Sequence, residues 1–263
     1  MKVIIWIFFL LCNINVLLAK PISVTLFSTN DFPPYSYSIN GEAKGIYPDI
    51  VRHVAKSMPN FDVTIKPVPW NRGLMLLESG NGFGFMPPYY LPDVRPYINP
   101  YSVPLFEETV AVYCHIDVAR KLSDPIIWPE TFYGLRVGIN SGYNLGDQAF
   151  WQAQERGDIK VREAKDPEAN ILMMREKRND CYLHISLSTN WTLRQMQNKT
   201  EIANSDWMVM VKEVSSQFGY IGYTSIADGF PFKKQFIDMF NSEFLKQRES
   251  GTLDNVIAPY LEE

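Results

Sequence analysis

The sequence predicts an α/β protein made of two similar lobes, the first of them built from both ends of the chain. Three observations carry this. Short β-rich runs alternate with helical stretches, and the alternation breaks at a proline-rich segment and then begins again. A long amphipathic stretch then returns near the C-terminus.

The elements follow in order. Ser23 to Phe27 is a β-rich run just after Pro21. Ile46 to Met58 places Ile46, Ile50, Val51, Val54 and Met58 at helical spacing, with Pro48 in the first turn. Val63 to Pro67 reads as a second strand. Asn71 to Glu78 reads as a helix that stops near Gly80, and Phe83 to Met86 as a third strand. This βαβαβ order predicts a parallel sheet with helices packed on it. Val110 to Cys114 reads as a strand, and beyond the stretch holding Pro92, Pro96, Pro100 and Pro104 the rhythm begins again at Leu135. Next come a strand at Leu135 to Ile139, a glycine-containing turn from Asn140 to Gly146, and a helix. Val161 to Ala164, a helix at Ala169 to Arg175 and the run Cys181 to Ile185 repeat the pattern. Trp207 to Val211 and Gly219 to Tyr223 are strand-like. Phe232, Phe236, Phe240 and Phe244 recur every fourth residue in a last helix that stops near Gly251.

Residues 1–19 stand apart. Lys2 precedes the apolar run Val3 to Leu11, Asn13 and Asn15 interrupt it, and Ala19 offers a small residue for cleavage before Lys20. This reads as a secretory signal, too short and broken for a membrane anchor, and no later segment approaches a membrane span. Leu11 before Cys12 argues against lipid attachment. The expected location is therefore the periplasm, as a secreted monomer that is not embedded in the membrane.

The 263 residues are 46% hydrophobic, enough for a sizeable core, and their net charge of −4 comes without a basic patch. Nucleic acid is thereby excluded as a partner, since phosphate recognition needs concentrated positive charge. His53, His115 and His184 are scattered, so neither a metal site nor any other cofactor is expected. With the signal removed, Cys114 and Cys181 remain. They are either a disulfide, as an oxidising compartment allows, or two buried thiols.

Several ordered stretches resemble one family. They are Asp31-Phe-Pro-Pro-Tyr35, Gly41 to Ile50, Val68-Pro-Trp70-Asn-Arg72 with Leu77 to Gly80, Leu91 to Arg95 with Asn99-Pro-Tyr101, and Gly251 to Leu261. Together they resemble the bacterial extracellular solute-binding proteins of family 3, in a non-classical branch, from about Ser23 to Leu261. The resemblance implies a two-lobed periplasmic binding protein fold of type II. Lobe 1 would comprise residues 20–108 and 214–263 and lobe 2 residues 109–213, with crossings near Phe106 to Thr109 and Lys212 to Gln217. It further implies capture of a small ligand for an ABC permease or a membrane sensor rather than catalysis.

The site residues are assigned by the same resemblance. Arg95 would clamp a ligand carboxylate, a task suited to a planar bidentate donor. Phe32, Tyr35 and Trp70 lie on loops at the carboxyl ends of strands, where open α/β sheets bind ligands, and would form aromatic walls; the alternative is packing at the lobe edge. Tyr89 and Tyr90 would narrow the pocket. Ser141, Tyr143 and Asn144 precede a helix whose free N–H groups attract a carboxylate, although Ser141 or Asn144 could simply cap it. Ser186 stands where amino-acid receptors of the family carry a carboxylate for the ligand ammonium. With none there, Asp31 is the nearest substitute, or else the ligand is not a standard α-amino acid. The rival function is an enzyme on the same scaffold, a cyclic-acid dehydratase. Asp31, Glu78, Glu107, Glu108 and His184 are available to it, but no paired constellation stands out.

Overall fold

The computed structural model describes residues 20–143, 145–226 and 228–261; the expected signal, residues 1–19, and Asn144 lie outside them. The chain begins with β1 (Ile22–Thr29), then a small antiparallel sheet of β2 (Asp31–Phe32), β3 (Ser36–Ile39) and β4 (Glu42–Lys44). There follow α1 (Ile46–Ala55), β5 (Phe61–Val68), α2 (Trp70–Glu78), β6 (Gly84–Met86), β7 (Ile98–Tyr101) and the long β8 (Phe106–His115). The second half holds α3 (Ile116–Ala119), β9 (Arg136–Asn140), α4 (Gln148–Glu155), β10 (Lys160–Ala164), α5 (Pro167–Arg175), β11 (Cys181–Ile185) and α6 (Ser186–Asn198). The chain then returns through β12 (Met208–Gly219) and β13 (Gly222–Thr224) to α7 (Lys233–Glu249) and α8 (Thr252–Leu261).

Two five-stranded sheets result, ordered β5-β1-β6-β13-β7 and β10-β9-β11-β8-β12. In the first, β1 runs parallel to β5 and β6, as the βαβαβ order requires, and β13 closes antiparallel on β6 and β7. The chain therefore builds its first sheet from both ends, and the two-lobed α/β architecture is the one expected. The passages between the sheets are β8 and β12. They pair antiparallel from Met208–His115 to Gly219–Phe106, with register irregularities between Met210 and Lys212 and between Glu213 and Ser215. Bulges bend and twist a ladder locally; the second lies within the expected stretch Lys212 to Gln217 and the first begins just before it, while on β8 both lie just beyond the expected Phe106 to Thr109.

Aromatic packing fixes the first lobe. Phe236, Phe240 and Phe244 on α7 are fully buried and stack in a row, and Phe61 and Phe83 meet Phe236 edge-on at 5.1 and 5.2 Å. The Tyr260 hydroxyl donates to Asp49 at 2.5 Å, tying α8 back onto α1. In the second lobe, Asp147 and Asp166 cap α4 and α5 by accepting from Phe150 N–H and Ala169 N–H at 2.9 and 2.8 Å. The helix after the glycine turn thus starts at Gln148, directly after the expected turn, and Asp147 rather than Ser141 caps it; the expectation for Asn144 lies outside the described residues.

One local reading is corrected, and two elements had no counterpart among the sequence expectations. The run Gly219 to Tyr223 is not one strand, because the chain turns between β12 and β13 so that Ser102 N–H bonds the Ile221 carbonyl. Helix α6 has no clear apolar stripe; its inward positions are Ser188, Thr189, Leu193 and Met196. The β2–β4 sheet lies in a stretch too short and polar to read as strands. The open question about the cysteines is also decided: Cys114 and Cys181 face each other across β8 and β11 and form a disulfide.

Two stability predictions follow from this packing. The pair Cys114→Ala/Cys181→Ala releases a crosslink 67 residues apart in sequence, at a cost of about 2–4 kcal/mol. At this chain length that corresponds to a fall in Tm of about 5–15 °C by calorimetry, and reductant should reproduce it in the native protein. Phe236→Ala empties the centre of the α7 row and should cost about 3–5 kcal/mol in urea unfolding.

Candidate functional site

The crossing strand β8 carries Glu108 with no exposed surface. Its two carboxyl oxygens accept from the Tyr47 and Tyr89 hydroxyls, each at 2.5 Å. Both tyrosines are placed by close backbone approaches. Tyr47 lies at the start of α1 just after Gly45, whose φ is +111° and where an added Cβ would lie 2.6 Å from the Pro34 carbonyl oxygen, so no side chain fits there. Gly219 gives Tyr47 its room, since a Cβ there would lie 2.0 Å from the Tyr47 hydroxyl. Gly219 also bridges to Tyr89. Burial raises the Glu108 carboxyl to about 7, against the opposing pull of the two tyrosine bonds. The Tyr47 and Tyr89 hydroxyls are themselves held well above their ordinary range, first by burial and then by Glu108.

Tyr35 is buried beside this carboxylate, stacked on Phe32 at 4.7 Å and tilted against Tyr47 and Phe106. From the second lobe comes Tyr143, half-buried at the end of β9. Its hydroxyl is pushed up to about 12 by burial, then by Asp31 and Glu108 across the cleft. Asp31 itself is exposed at the start of β2, and Phe32 is half-buried.

Behind Tyr143 lies a buried polar network. The His184 ring stacks between Tyr182 and Tyr143 at 5.1 and 5.7 Å. Its Nε2 is 3.1 Å from Asn140 Nδ2 and its Nδ1 is 3.3 Å from Thr189 Oγ1, which donates to the Ile185 carbonyl. Asn140 Nδ2 has hydrogens to give and Thr189 already donates elsewhere, so this pattern places the ring proton on Nδ1. Burial lowers the His184 pKa to about 3, so the ring is neutral. Asn140 Oδ1 accepts from Tyr182 and from Asn170 at 2.8 and 2.9 Å. His184 thus braces the second-lobe wall and has no free nitrogen for proton transfer.

The lobes also touch directly. Ser188 on α6 donates to the Pro33 carbonyl at 2.8 Å, and Trp191 meets Tyr37 with ring centres 6.0 Å apart. Sequence reasoning did not find these contacts, because a polar helix with no stripe gives no signal for them. Glu108 was visible only as an available acid, since its burial depends on strands distant in sequence.

The remaining predicted residues divide. Arg95 is half-buried, with its guanidinium 5.3 Å over the Trp70 ring, and Trp70 in turn packs on Phe85. Tyr89 and Tyr90 part company. Tyr90 is exposed and meets Tyr101 and Tyr220, lining a groove of about 580 Å³ whose walls come only from residues 90–102 and Tyr220. Ser141 is exposed and donates to Glu163 on β10 at 2.7 Å. Ser186 opens α6, and its carbonyl accepts from the Tyr113 hydroxyl at 3.3 Å. The structure therefore brings together Phe32, Tyr35, Tyr89 and Tyr143, pairs Arg95 with Trp70, and sets Tyr90 and Ser141 in other contacts.

With this geometry in view, comparison with known proteins is informative. Residues 24–82, from β1 through α2, match the model of the bacterial extracellular solute-binding proteins, family 3. No curated protein matches the chain. Among solved structures, a histidine kinase sensor domain similar to periplasmic binding proteins superposes with a TM-score of 0.67 at 17% identity, covering 92% of this chain and 96% of that one. An ancestral arginine-binding protein bound to arginine gives 0.65 at 18% identity, over 90% and 97% of the two chains. The second substrate binding domain of Lactococcus lactis GlnP, in its open conformation, gives 0.65 at 18%, over 93% and 97%. The chain is thus similar to the bacterial extracellular solute-binding proteins of family 3, in sequence over residues 24–82 and in its two-lobed periplasmic binding protein fold over at least 90% of its length.

Proposed function

We propose that this chain is a periplasmic solute-binding protein that captures a small carboxylate-bearing ligand, an amino acid or a close analogue, between its two lobes. One observation carries the reading: side chains from the two lobes converge on one strip, while among the described residues the chain passes between the sheets only through β8 and β12. We take lobe 1 as residues 20–108 and 214–263 and lobe 2 as residues 109–213, with residues 1–19 as a removable signal. A ligand that touches both lobes favours the closed arrangement by its differential affinity for it.

Arg95 is the anchor for the carboxylate. Stacked on Trp70, its guanidinium plane is held in place while its edge N–H groups remain to donate. Trp70, Phe32, Tyr35, Tyr89 and Tyr143 supply the aromatic walls. Catalysis is not supported: His184 is neutral and bonded at both ring nitrogens, and Glu108 is engaged by two tyrosines. A sensing role has its own support in the likeness to a histidine kinase sensor domain. A neighbouring permease and ATPase gene would favour uptake, and a neighbouring sensor kinase gene would favour sensing.

A thermal-shift screen against amino acids, organic acids, polyamines and short peptides tests the reading. A ligand at a hundred times its Kd stabilises the fold by about 2.7 kcal/mol, so a true ligand stands out; no stabilisation across the whole screen would argue against it. Arg95→Ala should weaken calorimetric affinity for a carboxylate ligand about 10- to 100-fold, and unchanged affinity removes Arg95 from the site. Ser188→Ala loses the direct bond between the lobes, worth about 1 kcal/mol. Affinity should then fall roughly 2- to 10-fold, with a larger radius of gyration for the liganded protein by X-ray scattering.

A further inference from the structure

Glu108 is a fully buried carboxyl group whose surroundings contain no cation. Tyr47 of α1 and Tyr89 after β6 donate to it, and Tyr35 after β2 and Tyr143 after β9 lie within its electrostatic reach. Its nearest register partner on β12 is the uncharged Gln217. Glu107, next to it in the chain, turns outward to bond Ser216, and Asp31 acts on Tyr143. Among the described residues, no Lys, Arg or His contributes to the charge balance of Glu108. Removing a carboxylate from water with only neutral donors is unfavourable, and the group either keeps a proton or gains a cation.

The surroundings suit a cation from outside the chain. Aromatic rings from both lobes stand around the carboxyl group, and tyrosine faces attract ammonium and guanidinium groups. The Tyr89 ring is only half-buried, so it forms part of the wall through which a ligand would approach once the Ser188–Pro33 and Tyr37–Trp191 contacts part. We propose that Glu108 is the floor of a cation subsite at the base of the cleft, exchanging its proton for the ammonium or guanidinium of a bound ligand. The proton leaves to solvent and the ligand cation takes its place, with Tyr47 and Tyr89 keeping their bonds to the carboxylate oxygens. Because the acid sits on a crossing strand, the cation would be held where the two lobes pivot. The inference rests on the solute-binding reading and deepens it: the ligand must carry a positive group.

Calorimetry with L-arginine, L-lysine, agmatine and succinate as probes tests this on the secreted chain. At least one cationic probe should bind with release of a proton, read as a dependence of the heat on buffer ionisation enthalpy. Its affinity should rise with pH by up to about tenfold per unit below 7 and level off above, because Glu108 of the free protein gives up its proton near 7. Glu108→Gln should weaken that binding at least 30-fold and flatten the pH profile, with Tyr89→Phe intermediate. The inference is overturned if no cationic probe binds, if binding releases no proton at pH 6, or if Glu108→Gln binds as tightly as the native chain. Binding of succinate without any cation would overturn it while leaving the solute-binding reading intact.

Discussion

Every other feature depends on the antiparallel ladder between β8 and β12. Among the described residues these two strands are the only path of the chain between its sheets, and both belong to the second sheet by hydrogen bonding while their far ends reach the first. A ladder of this length is stiff along its strands, but it can twist where its register slips, and both irregularities lie opposite Val110 to Tyr113. From Val110 to His115, β8 is buried and further fixed by the Cys114–Cys181 disulfide to β11. Toward Phe106 it emerges between the lobes. One strand is therefore anchored at one end and placed at the cleft at the other, where it carries Glu108.

That placement explains the local chemistry of the first lobe. The Glu108 carboxyl group needs partners, and the chain supplies two hydroxyls by thinning the backbone around them. Gly219 makes room for Tyr47, and Gly45 allows α1 to begin directly against the Pro34–Tyr35 turn. Neither glycine touches the acid. Each permits a close approach that a Cβ would block, and the hydrogen bonds follow from that packing.

Much of this was legible in the sequence, but unevenly. Helices α1, α5 and α7 announce themselves by apolar residues at helical spacing, the Phe236–Phe240–Phe244 row being the plainest case, and strands β1, β5, β9 and β11 by short β-rich runs, of which β9 and β11 are buried almost throughout. Helix α6 does not, since its inward residues include Ser188 and Thr189, which bond to backbone carbonyls instead of packing as apolar groups. At the site, Tyr35, Tyr89 and Tyr143 could be named from the family resemblance together with their positions near strand ends. Glu108 could not be recognised there. Its neighbours come from residues 47 and 89, and nothing near it in sequence distinguishes it from the exposed Glu107.

The two walls of the cleft are built on opposite electrostatic principles. The second-lobe wall is a closed chain of neutral hydrogen bonds through Asn140, His184, Thr189 and Tyr182, with the imidazole pKa lowered to about 3. It stays neutral at pH values well above 3, and backs Tyr143. The first-lobe wall holds an acid moved the other way, into the neutral range. Burial drives both shifts, toward the neutral form in each case. The difference is that His184 is enclosed on every side by its own lobe, whereas Glu108 sits beneath half-buried Tyr89 on a strand that must flex when the lobes part. The response of such a clamp to charge is therefore concentrated in one lobe, on the strand about which it would turn.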